Sequence, residues 1–134
     1  MSEMEKIMVE RFGKDNILAL ATVEDGIPHV RSVNAYYEDG AFYVITYALS
    51  GKMRQIGKNP AVALAGDWYT AQGTGENLGW VCAPENAAIT AKLRQVFSAW
   101  IDNGHTNFED VNTVILRIRV TSAVLFDHGR RYEL

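Results

Sequence analysis

An Asp-Gly pair near the middle of PHVRSVNAYYEDGAFYVITYALSGKMRQIGKNP, residues 28–60, constrains the fold more than any other feature of the chain. Asp39-Gly40 separates two runs that alternate and are rich in β-branched and aromatic residues. A tight hairpin turn needs positive φ at both central positions, which Asp and Gly tolerate, so the pair predicts two adjacent antiparallel strands. In the first arm Val30, Ser32, Asn34 and Tyr36 share one face, and His29, Arg31, Val33, Ala35 and Tyr37 share the other. After the second arm, Ser50-Gly51-Lys52 opens a short helix with Met53 and Ile56 at helical spacing, and Asn59-Pro60 stops it. A hydroxyl, an ammonium and free backbone N–H groups at one helix start suit a phosphate.

The flanks extend the same pattern. Ser2 and Glu5 form a capping box for an opening helix bearing Met4, Ile7, Met8 and Phe12 on one side, ended near Gly13. Ile17 to Glu24 reads as a strand closed by Asp25-Gly26, followed by strands at Ile27 to Glu38, Ala41 to Tyr47 and Ala61 to Asp67. Through WYTAQGTGENLGWVC, Gly73, Gly75 and Gly79 suit turns or bulges, and Trp80-Val81-Cys82 reads as strand. Pro84-Glu85 starts a helix whose stripe of Ile89, Leu93, Val96, Phe97, Trp100 and Ile101 runs to Asn103-Gly104. A polar loop then leads to a last strand, Thr113 to Asp127. Strands this short and this close in sequence predict a single domain over residues 1–134. Its class is mainly β: a small closed or half-closed antiparallel barrel with two or three helices.

Charge and cysteine content narrow the function. The formal net charge is -3 at pH 7, against the basic excess of nucleic-acid binders. Cys82 is alone, so the chain holds neither an internal disulfide nor a cysteine metal cluster, as expected of a reducing compartment. The start, MSEMEKIMVERF, lacks the apolar core of a signal peptide, and no apolar run reaches the ~18 residues that span a bilayer. The expectation is a cytoplasmic protein without nucleic-acid or membrane partners.

Several chemistries lack their residues. Around Ser50-Gly51-Lys52 a Walker A loop would need Gly in place of Thr46 and Ser or Thr in place of Met53. GTGENLG has glycines at 73, 75 and 79, out of step with the dinucleotide fingerprint. His29, His105 and His128 are too scattered for a metal motif, so no metal is expected, and no G-x-S-x-G elbow supports a serine hydrolase. Arg31 remains the informative residue. In an alternating strand it either reaches solvent or faces an anion, and Ser32 and Asn34 add polar groups beside it.

These residues resemble the pyridoxamine 5'-phosphate oxidase-like, FMN-binding split-barrel family. The resemblance covers most of the chain, from the opening helix through ILALATVEDGIPHVRSVNAYYEDGAFYVITYALSGKMRQIGKNPAVAL to the final strand, and WYTAQGTGENLGWV with LFDHGRRY is similar to its flavin-nucleotide-binding, oxidase-related subgroup. It implies a homodimer with FMN at the subunit interface and a small flavin-dependent oxidoreductase of unknown substrate. Arg31, Ser32, Val33 and Asn34 would lie along the ring and ribityl chain, Ile45 and Thr46 would contact the ring, and Ser50, Gly51 and Lys52 would hold the phosphate. Trp68 would face the flavin of the second subunit. Apart from the resemblance, Tyr36, Tyr47, Trp68 and His128-Gly129-Arg130 are candidates for a pocket mouth, with a core or surface role as the alternative for each. No side chain is singled out as a catalytic acid or base. The vitamin B6 oxidases carry an Arg-Leu-x-Pro type element that Arg130 to Leu134 does not match, which implies a substrate other than pyridoxamine phosphate. Two alternatives share the fold: a non-catalytic module that stores or senses FMN, and a site for haem or a deazaflavin.

Overall fold

The computed structural model describes residues 1–134. Seven strands and three helices follow one another as α1 (Glu3–Phe12), β1 (Asn16–Glu24), β2 (Ile27–Glu38), β3 (Ala41–Tyr47), α2 (Gly51–Lys58), β4 (Ala61–Gly66), β5 (Tyr69–Trp80), α3 (Ala87–Val96), β6 (Thr113–Asp127) and β7 (Arg130–Glu133). No helix is long and apolar enough to cross a membrane.

The turns set the topology. Asp25-Gly26 and Asp39-Gly40 have positive φ at both positions, and so does His128-Gly129. Each therefore closes a two-residue hairpin of the type whose twist matches paired strands. The first two turns were legible in the sequence. The third adds β7, which the strand expected at Thr113 to Asp127 did not include. In the sheet order β3-β2-β1-β4-β5-β6-β7, every pairing is antiparallel. Residues 41–47 of β3 also pair with residues 113–119 of β6, which closes six strands into a barrel. Closure removes the free edges that short antiparallel strands would otherwise expose.

Inside lies one apolar cluster to which every barrel strand contributes, with Leu20, Phe42, Leu116, Ile118 and Leu125 fully buried. Met8 and Phe12 of α1 and Met53 and Ile56 of α2 cap it. Ser2 accepts a hydrogen bond from the Glu5 N–H at 3.1 Å, as the capping box requires. A second cluster lies outside the barrel wall, where Leu93, Phe97 and Ile101 pack on Tyr36 and Ile115.

Three readings need correction. The segment after Pro84 is a short 3-10 turn (Pro84–Asn86) and a helix that ends at Val96. Phe97 and Ile101 keep their core role from turns beyond it. Val81 and Cys82 are not strand; β5 ends at Trp80, after register shifts at Gln72/Gly73 and Asn77/Trp80. Tyr36 is 5% exposed beneath the α3 segment, so it does not stand at a pocket mouth.

Two glycines test this packing with opposite signs. A Cβ on Gly73 would lie 2.5 Å from the Arg119 carbonyl oxygen across the β5–β6 ladder, whereas one on Gly57 in α2 would meet nothing within 4 Å. Gly73→Ala is expected to destabilise the fold by about 1–3 kcal/mol. Gly57→Ala is expected to stabilise it by roughly 0.4–1 kcal/mol. Urea unfolding of the two variants beside the parent measures both.

Candidate functional site

The end of the barrel under α2 gathers most of the polar residues singled out above. Ser50 caps α2, its hydroxyl accepting from the Met53 N–H at 3.4 Å, and the first turn carries no acidic residue. The N–H groups of Gly51 and Lys52 therefore have no intrahelical acceptor, and the positive end of the helix is open to an anion. Lys52 Nζ donates to Thr46 Oγ1 at the end of β3, with Ser50 Oγ at 3.5 Å.

Arg31 lies on the inward face of β2, in line with the core residues Val33 and Ala35. Its Nη1 donates to Thr22 Oγ1 at 2.7 Å and to the Leu20 carbonyl at 3.3 Å, and its Nη2 donates to Gln55 Oε1 at 2.9 Å. All three acceptors are neutral. Arg54 and Lys58, later on the same helix, are paired with Glu24 at 3.1 and 3.6 Å. Arg31 and Lys52 take part in no ion pair.

Two cations therefore share one partly buried corner without a counter-charge. Burial holds the Lys52 ammonium below its ordinary pKa, and the Arg31 charge lowers it further. Burial also lowers that of Arg31. Both shifts reflect the cost of removing a cation from water without an anion beside it. Phosphate or carboxylate would offset that cost with charge-assisted hydrogen bonds.

The other named residues are distributed around this corner. Val33 is a core side chain, and Ser32 is exposed on the outer face. Asn34 donates to Asp15 at 3.0 Å, and the Trp100 indole N–H donates to the same carboxylate at 3.1 Å. Ile45 packs against the α3 cluster. Exposed Tyr47 ends β3 and lines, with His105 and Asp110, an open cavity of about 310 Å³. Trp68 occupies the β4–β5 turn, near the Asn16 end of β1, and the strand register sets it well away from Thr22 on the same chain. It is 74% exposed, has φ 57° and meets Phe126 edge-on at 6.4 Å. Positive φ on so bulky a residue costs about 1–3 kcal/mol, a strain that persists only where surrounding structure or function enforces it. His128 projects from the β6–β7 turn with Asp127 beside it at 2.9 Å, and that carboxylate raises its pKa. Arg130 reaches Glu3 of α1 at 3.4 Å.

Thr22 and Gln55 are members of the corner that the sequence did not single out. Thr22 sits among apolar alternation, where threonine reads as a strand former. The signal for Gln55 was its place beside Met53 and Ile56 on the buried side of α2.

The buried, uncompensated Lys52 has a consequence for stability. Its folded-state pKa lies below the ordinary 10.5, so the unfolded chain binds the proton more tightly. Stability of the ligand-free protein is therefore expected to rise with pH between those two values. Lys52→Met removes this slope and raises the thermal midpoint at neutral pH. Melting curves at neutral and mildly alkaline pH check it, and a variant less stable than the parent at neutral pH would mean the ammonium is already compensated.

A family model described as pyridoxamine 5'-phosphate oxidase matches residues 4–125. No curated protein sequence matches the chain. Among solved structures, the chain is similar to General Stress Protein 26 from Bacillus anthracis, with 19% identity, coverage of 99% of this chain and 100% of that one, and a TM-score of 0.72. It is similar to a FAD-binding protein from Mesorhizobium loti, with 20% identity, 92% of each chain covered and a TM-score of 0.70. It is also similar to a haem-binding protein from Mycobacterium smegmatis, with 18% identity, 90% of this chain and 53% of that one covered, and a TM-score of 0.68. At these identities the likeness establishes a common fold.

Proposed function

The chain belongs to the pyridoxamine 5'-phosphate oxidase family, and from that membership we propose that it binds FMN between two copies of itself and serves as a small flavin-dependent oxidoreductase. The observation that carries this reading is the Arg31–Lys52 pair at the open start of α2, two cations with only neutral partners. Ser50, Gly51, Lys52 and Thr46 would hold the phosphate, with Arg31 reinforcing the positive field. FMN, when bound, supplies the hydride or electron transfer. The chain's own part is to bind and orient that group and to limit water at it. The Mesorhizobium loti relative's description as FAD-binding supports a flavin.

The dimer rests on a separate observation. The outward face of β2-β1-β4-β5 carries Ile17, Ala21, Val30, Ala63, Ala65 and Thr70 among its side chains, and no charged residue stands on it between Ile17 and Val23, Pro28 and Asn34, Ala61 and Ala65, or Thr70 and Thr74. Ile17 and Val30 are each 70% exposed there. A sheet face of small, uncharged side chains flanked by exposed aliphatic ones fits a second copy of itself. Trp68 stands on a turn at the edge of that face, where it would reach the partner's flavin.

An absorption spectrum of the purified protein, before and after FMN is added, tests the reading. Flavin bands that dithionite bleaches are expected, and Lys52→Ala should weaken FMN binding about tenfold or more. A Soret band instead of flavin bands would overturn it in favour of haem, the ligand class of the Mycobacterium smegmatis relative. For the interface, Ala65→Arg is expected to give a monomer in sedimentation velocity and to lose FMN with it. Dimers that survive both Ala65→Arg and Ala63→Arg would place the interface elsewhere.

A further inference from the structure

Thr22 is fully buried and Gln55 is 4% exposed, so both lie deeper than the Arg31 guanidinium they hold. Gln55 Oε1 accepts from Thr22 Oγ1 and from Arg31 Nη2, while Thr22 Oγ1 accepts from Arg31 Nη1. A closed triangle of hydrogen bonds thus fixes the plane of the guanidinium. Because the oxygen is engaged twice, only one orientation of the amide is compatible with it, and the Gln55 nitrogen makes no hydrogen bond to the protein.

The identity of the acceptor matters more than its shape. A glutamate is nearly isosteric with glutamine and would bind Arg31 more strongly, since a charged acceptor about doubles the strength of such a bond. It would also cancel one of the two positive charges. A neutral amide orients the guanidinium and leaves the corner with both charges.

We propose that Gln55 is a positioning residue of the anion site: directly and through Thr22 its neutral amide fixes the Arg31 guanidinium without cancelling it, which sets the preference of the Arg31–Lys52 corner for a phosphomonoester. The proposal rests on reading that corner as the phosphate end of the FMN site.

The test compares FMN with riboflavin, which lacks the phosphate, in fluorescence titrations of Gln55→Glu, Gln55→Met and the parent. Gln55→Glu is expected to weaken FMN about tenfold or more, to leave riboflavin affinity close to the parent's, and to melt no lower than the parent without ligand. Gln55→Met, which releases the guanidinium without cancelling its charge, should lower the FMN-to-riboflavin affinity ratio less than Gln55→Glu does. Equal losses for FMN and riboflavin, or an unchanged FMN affinity, would overturn the proposal. If Gln55→Glu does not fold, Thr22→Val serves: a lower FMN-to-riboflavin affinity ratio supports the positioning role, and an unchanged ratio overturns it. A parent protein that binds neither flavin sinks the flavin reading alone. In that case inorganic phosphate, followed by NMR shifts of the Lys52 side chain, becomes the probe. Phosphate binding lost in Gln55→Glu supports the role of Gln55, and no phosphate binding by the parent overturns it.

Discussion

Pairing of β3 with β6 is the constraint on which the remaining architecture depends. It joins Ala41 to Arg119 and Tyr47 to Thr113, stretches about seventy residues apart in the chain, and turns an open meander into a barrel. Once closed, the barrel has an inside that Leu20, Phe42, Leu116 and Ile118 fill, and an end that α2 must cover with Met53 and Ile56. The same closure fixes the end of β3, and therefore Thr46, opposite the start of α2. Lys52, one turn further along the chain, meets the Thr46 hydroxyl where β3 is also anchored to β6.

Covering the end of a barrel with a helix start has an electrostatic consequence. Backbone N–H groups, a capping serine and the first side chains of α2 converge where polar groups are partly removed from water. Most proteins place a carboxylate near such a cluster, and this chain does so further along α2, where Glu24 takes both Arg54 and Lys58. At Arg31 and Lys52 it uses a threonine, a serine, a carbonyl and an amide instead. The result is a corner whose positive charge is oriented but not neutralised, and which gains most when an anion arrives.

The sequence carried the local part of this design and little of the long-range part. Asp25-Gly26 and Asp39-Gly40 announce their hairpins because positive φ selects residue type within two positions. Ser2 and Ser50 announce their helices because caps are equally local. His128-Gly129 uses the same geometry with a residue less diagnostic of it, so β7 went unassigned beyond the strand that ends at Asp127. The α3 segment stayed apolar past Val96 because Phe97 and Ile101 are needed in the core, and their spacing imitates two more helical turns. In the site, Lys52, Ser50 and Thr46 were legible as a helix start beside a strand end. Arg31 was ambiguous, since its destination depends on Thr22 across β1 and Gln55 on α2. Those two partners take shape only once β1, β2 and α2 are packed together.

The places where the chain tolerates cost are also informative about its design. A ligand-free Lys52 held below its ordinary pKa and an exposed Trp68 at φ 57° both lower stability. Neither position demands it, since an apolar side chain would suit the first and a glycine the second. Trp68 stands in the β4–β5 turn at the edge of the uncharged face of β2-β1-β4-β5, and Lys52 follows the end of β3, outside that face. On a single chain they are far apart. In the dimer proposed above, an anionic aromatic ligand held between the turn of one copy and the α2 corner of the other would answer both at once, its phosphate offsetting the charge and its ring covering the tryptophan.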